Sequence, residues 1–252
     1  MKAAVFDSGI GGLTVVKSLL ENKLFEEIVY FGDTARVPYG VKDKNTIIRY
    51  SLEALEFFKN FDIDILIVAC NSASAHALDE LRENTDIPVV GVITSGVMAL
   101  QNKIEKKDSK VLVIGTNATI KSTRYEKALK ENGYDDIISI PTGLFVPIVE
   151  EGIFDGAILD ATMEHYFKGL PNIDAVILGC THFPLIEEKI SSYLNNAITI
   201  HSGDAIVEYL KKEYDCNTQF EKTNIKFFAS ENPDGLKQVA KNWLKGLIEI
   251  EY

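Results

Sequence analysis

Two nonapeptides, DILIVACNS at residues 64–72 and DAVILGCTH at 174–182, share one pattern and stand 110 positions apart. Each opens on Asp, runs through five apolar or small residues, reaches a Cys and closes on two polar residues. An unbroken apolar run suits a strand covered on both faces, as in a parallel sheet layered by helices. In the first copy, helix-forming residues follow over 73–83. A strand that ends in small polar residues at a helix start is where open α/β sheets place ligands. Two thiols at matching places in a duplicated unit are therefore expected to face each other across a shared cleft.

The duplication extends beyond these peptides. KVLVIGT at 110–116 aligns with KAAVFDS at 2–8, and Val146-Pro147 mirrors Val37-Pro38. The offset stays between 108 and 110, the mark of an internal repeat with divergent loops. Strands are expected at 2–6, 27–31, 65–69, 87–90, 110–114, 137–140, 174–178, 198–201 and 225–229. Helical patterns fall between them, among them 13–22, 44–60, 94–107, 120–132, 204–214 and 234–246. Strands alternating with helices predict an α/β fold of two pseudo-symmetric lobes, with mainly parallel sheets flanked by helices. No low-complexity linker separates the halves, so the lobes are expected to pack closely. The turn DSGIGG at 7–12 resembles an anion-binding corner but is neither a Walker loop nor a dinucleotide fingerprint. A purely structural turn explains it equally well.

Composition narrows the function classes. The net charge is −11 and no basic cluster stands out, which argues against nucleic acid or an anionic membrane as partner. A small anionic substrate would have to be held by backbone N–H groups and hydroxyls at helix starts. No apolar run approaches the roughly 18 residues of a membrane span, and MKAAVFDSG lacks the pattern of a secretory signal. Three cysteines in 252 residues give no disulfide framework, so free thiols and a cytoplasmic location are expected.

The chemistry rests on the thiols. Cysteine titrates near about 8.5, and a helix N-terminus lowers that value, so the macrodipole is expected to favour thiolate at both Cys70 and Cys180. A thiolate on one side of a carbon and a thiol on the other can invert a stereocentre: one removes a proton, the other returns one to the opposite face. The plainer reading is that a Cys ending a buried strand is a small apolar filler. The repeat weakens it, because both copies carry hydroxyl, amide or imidazole groups directly after the Cys. Cys216 has no such context and is given no role. A zinc site is poorly supported, since Cys180 and His182 are only two ligands. A Cys–His hydrolase with His182 as base leaves Cys70 unexplained. His76 and His165 read as packed or solvated, and His201 as a cap. Glu150, in the pair Glu150-Glu151, is usually part of a solvated face but can orient a nearby imidazole.

Six segments in order, DSGIGG (7–12), GDTARVPYG (32–40), ACNSAS (69–74), GTNATI (115–120), LFVPIVEEG (144–152) and GCTHFP (179–184), together resemble the cofactor-independent glutamate racemases of the aspartate/glutamate racemase superfamily. The resemblance runs to HSGDAIVEYL at 201–210. It implies an isomerase that interconverts L- and D-glutamate without cofactor or metal, supplying D-glutamate for peptidoglycan synthesis, cell-wall biogenesis and cell shape in a bacterium. It implies a first lobe of residues 1–95 plus 208–252, a second lobe of 96–207, and an active site between them. Cys70 and Cys180 would be the acid/base pair, assisted by Asp7, Glu150 and His182. Substrate would be held around Asp7, Ser8, Tyr39, Gly40, Asn71, Ser72, Thr116, Thr119, Thr181 and His182. A homodimer is implied, with neither nucleic acid nor membrane as partner.

One departure is visible: the family usually has Thr where this chain has Ser72. The hydroxyl survives, and the lost methyl is worth about 1 kcal/mol at most if buried. The chain starts directly at the first strand, so the amino-terminal extension that serves activation by a cell-wall precursor in some relatives is expected to be absent. A racemase of aspartate or hydantoins is the nearest rival within the superfamily. Related decarboxylases keep one thiol, and both are present here. A non-catalytic module that senses a dicarboxylate is the alternative of a different class.

Overall fold

The computed structural model describes residues 1–214 and 216–248. The expected first-lobe segment 208–252 thus contains residue 215 and residues 249–252, which lie outside the described residues. Among the described residues nine strands form, β1 (Lys2–Asp7), β2 (Glu27–Gly32), β3 (Ile65–Val68), β4 (Val89–Gly91), β5 (Val111–Gly115), β6 (Ile137–Pro141), β7 (Ala175–Gly179), β8 (Ile198–His201) and β9 (Asn224–Ala229). They build two sheets, ordered β4-β3-β1-β2-β9 and β6-β5-β7-β8, with every pairing parallel.

The apolar runs explain the central strands. Alternate residues of β1 serve opposite faces: Ala3 and Val5 pack with Leu13, Val16 and Leu19, while Ala4 and Phe6 pack with Ile47, Leu55 and Phe58. In β7, Ala175 and Ile177 face one core, and Val176 and Leu178 the other. Each buried Val, Ile or Leu side chain contributes about 1.5–3 kcal/mol through removal from water. Only a strand covered on both sides uses every position of such a run. The helix Lys44–Phe58 shows the complementary pattern. Asp43 caps it by accepting from Thr46 N–H at 3.0 Å, and Ile47, Ser51, Ala54, Leu55 and Phe58 form its buried stripe.

The repeat is topological as well. In the first sheet the chain steps from β1 outward to β2, then returns to the other side of β1 for β3 and β4; β5, β6, β7 and β8 repeat this walk. The strand order thus reverses between β1 and β3, and again between β5 and β7. In open α/β sheets such reversal points open a crevice at the carboxyl ends of the strands, where ligands bind. Both crevices carry a cysteine, Cys70 just beyond β3 and Cys180 just beyond β7.

The chain crosses between the sheets within helices. Val92–Lys103 follows β4 and leads to β5, and Ser202–Glu213 follows β8; the two pack against each other, and the second also packs on the helix Leu13–Glu21. Two expected helices are interrupted. The 73–83 segment is Asn71–His76 and Leu78–Glu83, and the 120–132 segment is Asn117–Lys121 and Arg124–Glu131. At the second break the Ser122 hydroxyl donates to Thr119 C=O at 2.6 Å and accepts from Arg124 N–H at 3.2 Å, replacing helical bonds, and Thr123 turns left-handed at φ 56°.

Candidate active site

The carboxyl end of β1 supplies Asp7, fully buried. Its Oδ2 accepts from Gly9 N–H at 3.0 Å and its Oδ1 from the Thr181 hydroxyl at 3.3 Å, so one carboxylate joins the turn after β1 to the turn after β7. Burial pushes the Asp7 carboxyl above its ordinary range, opposed by the charge of His182 and the N–H groups of Gly9 and Gly12. Gly11 permits this approach: a Cβ there would stand 2.7 Å from His182 Nδ1 and collide with the Thr181 hydroxyl.

Cys70 lies in extended conformation just ahead of the helix Asn71–His76, 5 % exposed, and its thiol donates to the Ser8 hydroxyl at 3.5 Å. Here the structure corrects the sequence reading, in which the helix start favours thiolate. Burial, reinforced by the negative charge of Asp7, pushes the Cys70 thiol up to about 12, outweighing the Ser8 hydroxyl and the Ala73 N–H. A helix of six residues is too short to reverse that balance. Cys180 departs from the expectation in another way. No α-helix starts beside it; the chain turns through Thr181 and His182 into a 3₁₀ segment, Phe183–Ile186, with Pro184 in its first turn.

Around Cys180 the polar partners line up. Its sulfur lies 3.7 Å from His182 Nδ1, and His182 Nε2 lies 3.1 Å from Glu150 Oε1. Burial alone would lower the His182 pKa, but hydrogen bonding to Cys180 and Glu150, with the charges of Cys180 and Asp7, raises it to about 10. The imidazole therefore holds a proton between sulfur and carboxylate. Glu150, the last residue of the helix Phe145–Glu150, is only partly buried, its side chain 32 % exposed.

A narrow cleft runs between the two halves, walled by Ser8, Val37–Gly40, Cys70, Asn71 and Ser72 on one side and by Thr116, Val146 and Gly179–His182 on the other. Both sulfurs belong to this wall. Among the described residues that line it there is no lysine or arginine, and hydroxyls and backbone N–H groups are the anion-holding chemistry they offer. Ser72, Thr116 and Thr119 form a triangle of hydroxyls at 2.9, 3.2 and 3.1 Å that closes across the two halves. Thr119 stands behind the wall; Asp7 and Glu150 also lie outside the lining and touch lining residues. Gly40 packs so closely on Thr116 that a Cβ would come within 2.5 Å of Thr116 Cγ2.

Two expected binding residues have their side chains engaged elsewhere. The Tyr39 hydroxyl donates to Asp33 Oδ2 at 2.5 Å, and burial with that bond holds the phenol far above its ordinary range. The Asn71 amide donates to Ser202 Oγ at 3.2 Å and accepts from Tyr125 OH at 2.7 Å. Asp33 escaped the sequence reading although it lies in GDTARVPYG. Fully buried, it accepts from Arg36 Nε at 2.7 Å and Ser230 Oγ at 2.7 Å besides Tyr39, and so anchors the loop that supplies Val37–Gly40. Of the remaining histidines, His76 Nε2 meets Ala118 C=O at 2.9 Å, His165 packs beside the Tyr166 ring, and His201 caps its helix at Asp204 N–H. Cys216 is buried in the core of the first sheet, away from the cleft. Among the described residues, no cluster of three or more His, Cys, Asp or Glu is arranged for a metal ion, and no helix is long and apolar enough to cross a membrane.

Comparison with known proteins gives a consistent result. The family model described as Asp/Glu/Hydantoin racemase matches residues 16–210. The glutamate racemase of Nitratiruptor sp. is 63% identical over 246 residues, covering 97% of each chain. The crystal structure of glutamate racemase from Campylobacter jejuni superposes with a TM-score of 0.97 at 54% identity, over 99% of this chain and 100% of that one. The Francisella tularensis glutamate racemase, solved in complex with D-glutamate, gives a TM-score of 0.86 at 35% identity over 99% and 95% of the two chains.

Proposed function

Because the chain belongs to the Asp/Glu/Hydantoin racemase family, we propose that it interconverts L- and D-glutamate by proton transfer between the α-carbon and two thiols, Cys70 and Cys180. It is an isomerase. The observation that carries the mechanism is that both sulfurs belong to the wall of one cleft. In this reading Cys70, whose thiol burial holds in the protonated form, acts as the acid, and the sulfur of Cys180, beside His182, acts as the base. As the α C–H bond breaks, its proton passes to the Cys180 sulfur and the electron pair stays with the α-carbon and its carboxylate. The Cys70 S–H then gives its proton to the opposite face. The two sulfurs leave with exchanged protonation states, and the opposite enantiomer is turned over from that state. Matching the donor to the charge that develops is the source of acceleration in such a site.

Asp7, Glu150 and His182 assist the thiols in this reading. Ser8, Tyr39, Gly40, Asn71, Ser72, Thr116, Thr119, Thr181 and His182, with Asp7, surround the substrate, Tyr39 through its backbone. The hydroxyl triangle supports a site that grips carboxylates by hydrogen bonding. The lobe division 1–95 with 208–252 and 96–207 is part of the proposal, supported by the place of β9 beside β2. So are delivery of D-glutamate to peptidoglycan, a homodimer and a cytoplasmic setting, the last supported by the sparse and odd cysteine count.

The test is circular dichroism of L-glutamate incubated with the protein in deuterated water. Loss of the optical signal with deuterium entering the α-position is expected, and Cys70→Ala and Cys180→Ala each abolish racemisation, by about a thousandfold or more. Full activity in either variant would remove the two-thiol mechanism, and glutamate binding without loss of signal would remove the racemase. Sedimentation as a single monomeric species would remove the dimer.

A further inference from the structure

Resting on the two-thiol reading, we propose that Tyr125 is a positioning residue that holds the two cysteine-bearing segments in register across the cleft. Tyr125 sits in the first turn of the helix Arg124–Glu131 and is 3 % exposed. Its hydroxyl donates to Asn71 Oδ1 at 2.7 Å, and Asn71 directly follows Cys70. Its ring is wedged between two glycines: a Cβ on Gly179 would lie 3.3 Å from Cε2, and one on Gly96 3.4 Å from Cε1. Gly179 directly precedes Cys180. A single side chain therefore reaches the residue beside each sulfur, by a hydrogen bond on one side and by ring packing on the other. Burial and the charge of Cys180 both raise the Tyr125 phenol, which stays a donor at any working pH.

The Asn71 amide is held at both ends, by Tyr125 at its oxygen and by Ser202 Oγ at its nitrogen. Asn71 opens the helix that Cys70 precedes, so a tether on its side chain also restrains the backbone next to the thiol. Proton transfer is sensitive to such shifts, since a misplacement of about 1 Å can cost about a hundredfold in rate. Phenylalanine at 125 would keep the ring between the glycines and remove only the tether to the Cys70 side.

The experiment is racemisation by Tyr125→Phe, measured from L- and from D-glutamate well below the melting temperature, with protonated and α-deuterated substrates. The proposal expects kcat to fall about 10- to 100-fold while KM moves by less than about threefold. It also expects the primary isotope effects of the two enantiomers to diverge, because only one sulfur loses its tether. Ser202→Ala, which frees the other end of the same amide, gives the same signature at smaller size. A Tyr125→Phe protein that melts lower yet keeps wild-type kcat and isotope effects would overturn the proposal, as would a rise confined to KM. Should that variant not fold, wild-type kcat and isotope effects in Ser202→Ala overturn it. Failure of the racemase reading is seen separately, as an inactive wild-type protein.

Discussion

Cys70 and Cys180 are the same side chain in unlike surroundings. One faces a hydroxyl with a buried carboxylate nearby; the other lies against an imidazole that is itself clamped by Glu150. The thiol of Cys70 is pushed up to about 12 and the imidazole of His182 is raised to about 10, so both hold their protons at neutral pH. They also tie stability to pH. Folded His182 binds its proton more tightly than an unfolded histidine, whose value is about 6.5. Its contribution is therefore complete below pH about 6.5 and is lost as the pH climbs through about 10. Urea unfolding of the wild type is expected to weaken on the order of 2–4 kcal/mol between pH 7 and pH 10, and the loss should be clearly smaller in His182→Gln. Parallel pH profiles for the two proteins would remove His182 as the cause. Both cysteines and His182 were legible in the sequence because the repeat placed them. Asp33, Tyr125 and Ser202 were not: Tyr125 meets Asn71 across 54 positions of chain and Ser202 meets it across 131, and no local pattern encodes such a meeting.

At the scale of elements, the strands were readable because a buried parallel strand needs an unbroken apolar run, as in VLVIG of β5 and AVILG of β7. The duplication predicted two similar lobes, but which strands lie side by side came only with the structure. Helix interruptions were not readable, because Ser122 takes over backbone bonds through a hydroxyl that composition treats as an ordinary surface residue. The turns after the strands do the most for function, and Gly11 and Gly40 set how near they come. At Gly11 a Cβ would meet the Thr181 hydroxyl and the ring of His182, the residue that holds the proton beside Cys180. Gly11→Ala must displace the Thr181–His182 turn, and kcat should drop by about a hundredfold. Unfolding should shift far less, since the rest of the strand-end packing is untouched; kcat and melting temperature measured on the same preparation check this. An unchanged kcat would mean that the turn yields without disturbing His182.

At the scale of the whole molecule, the two sheets are joined by a pair of helices that pack on one another, and their reversal points look into one narrow cleft. Hydrogen bonds cross that cleft at Asp7–Thr181, at Ser72–Thr116 and from Thr14 Oγ1 to Thr181 C=O at 2.9 Å. With Cys70 and Cys180 only 5 % and 7 % exposed, substrate and reagents are expected to reach the sulfurs through an opening of the cleft. Cys216, 4 % exposed in the core of the first sheet, is equally hidden but answers to a different opening. Alkylation followed cysteine by cysteine by mass spectrometry separates these motions. Cys70 and Cys180 should label together, both far more slowly than a free thiol. Saturating glutamate should slow both by about tenfold or more, as expected when a ligand binds the closed form in excess, and leave Cys216 unchanged. Labelling of Cys70 and Cys180 at unrelated rates, or at a rate indifferent to glutamate, would mean that the two thiols do not share one opening, and with it would go the picture of one cavity served from both sides.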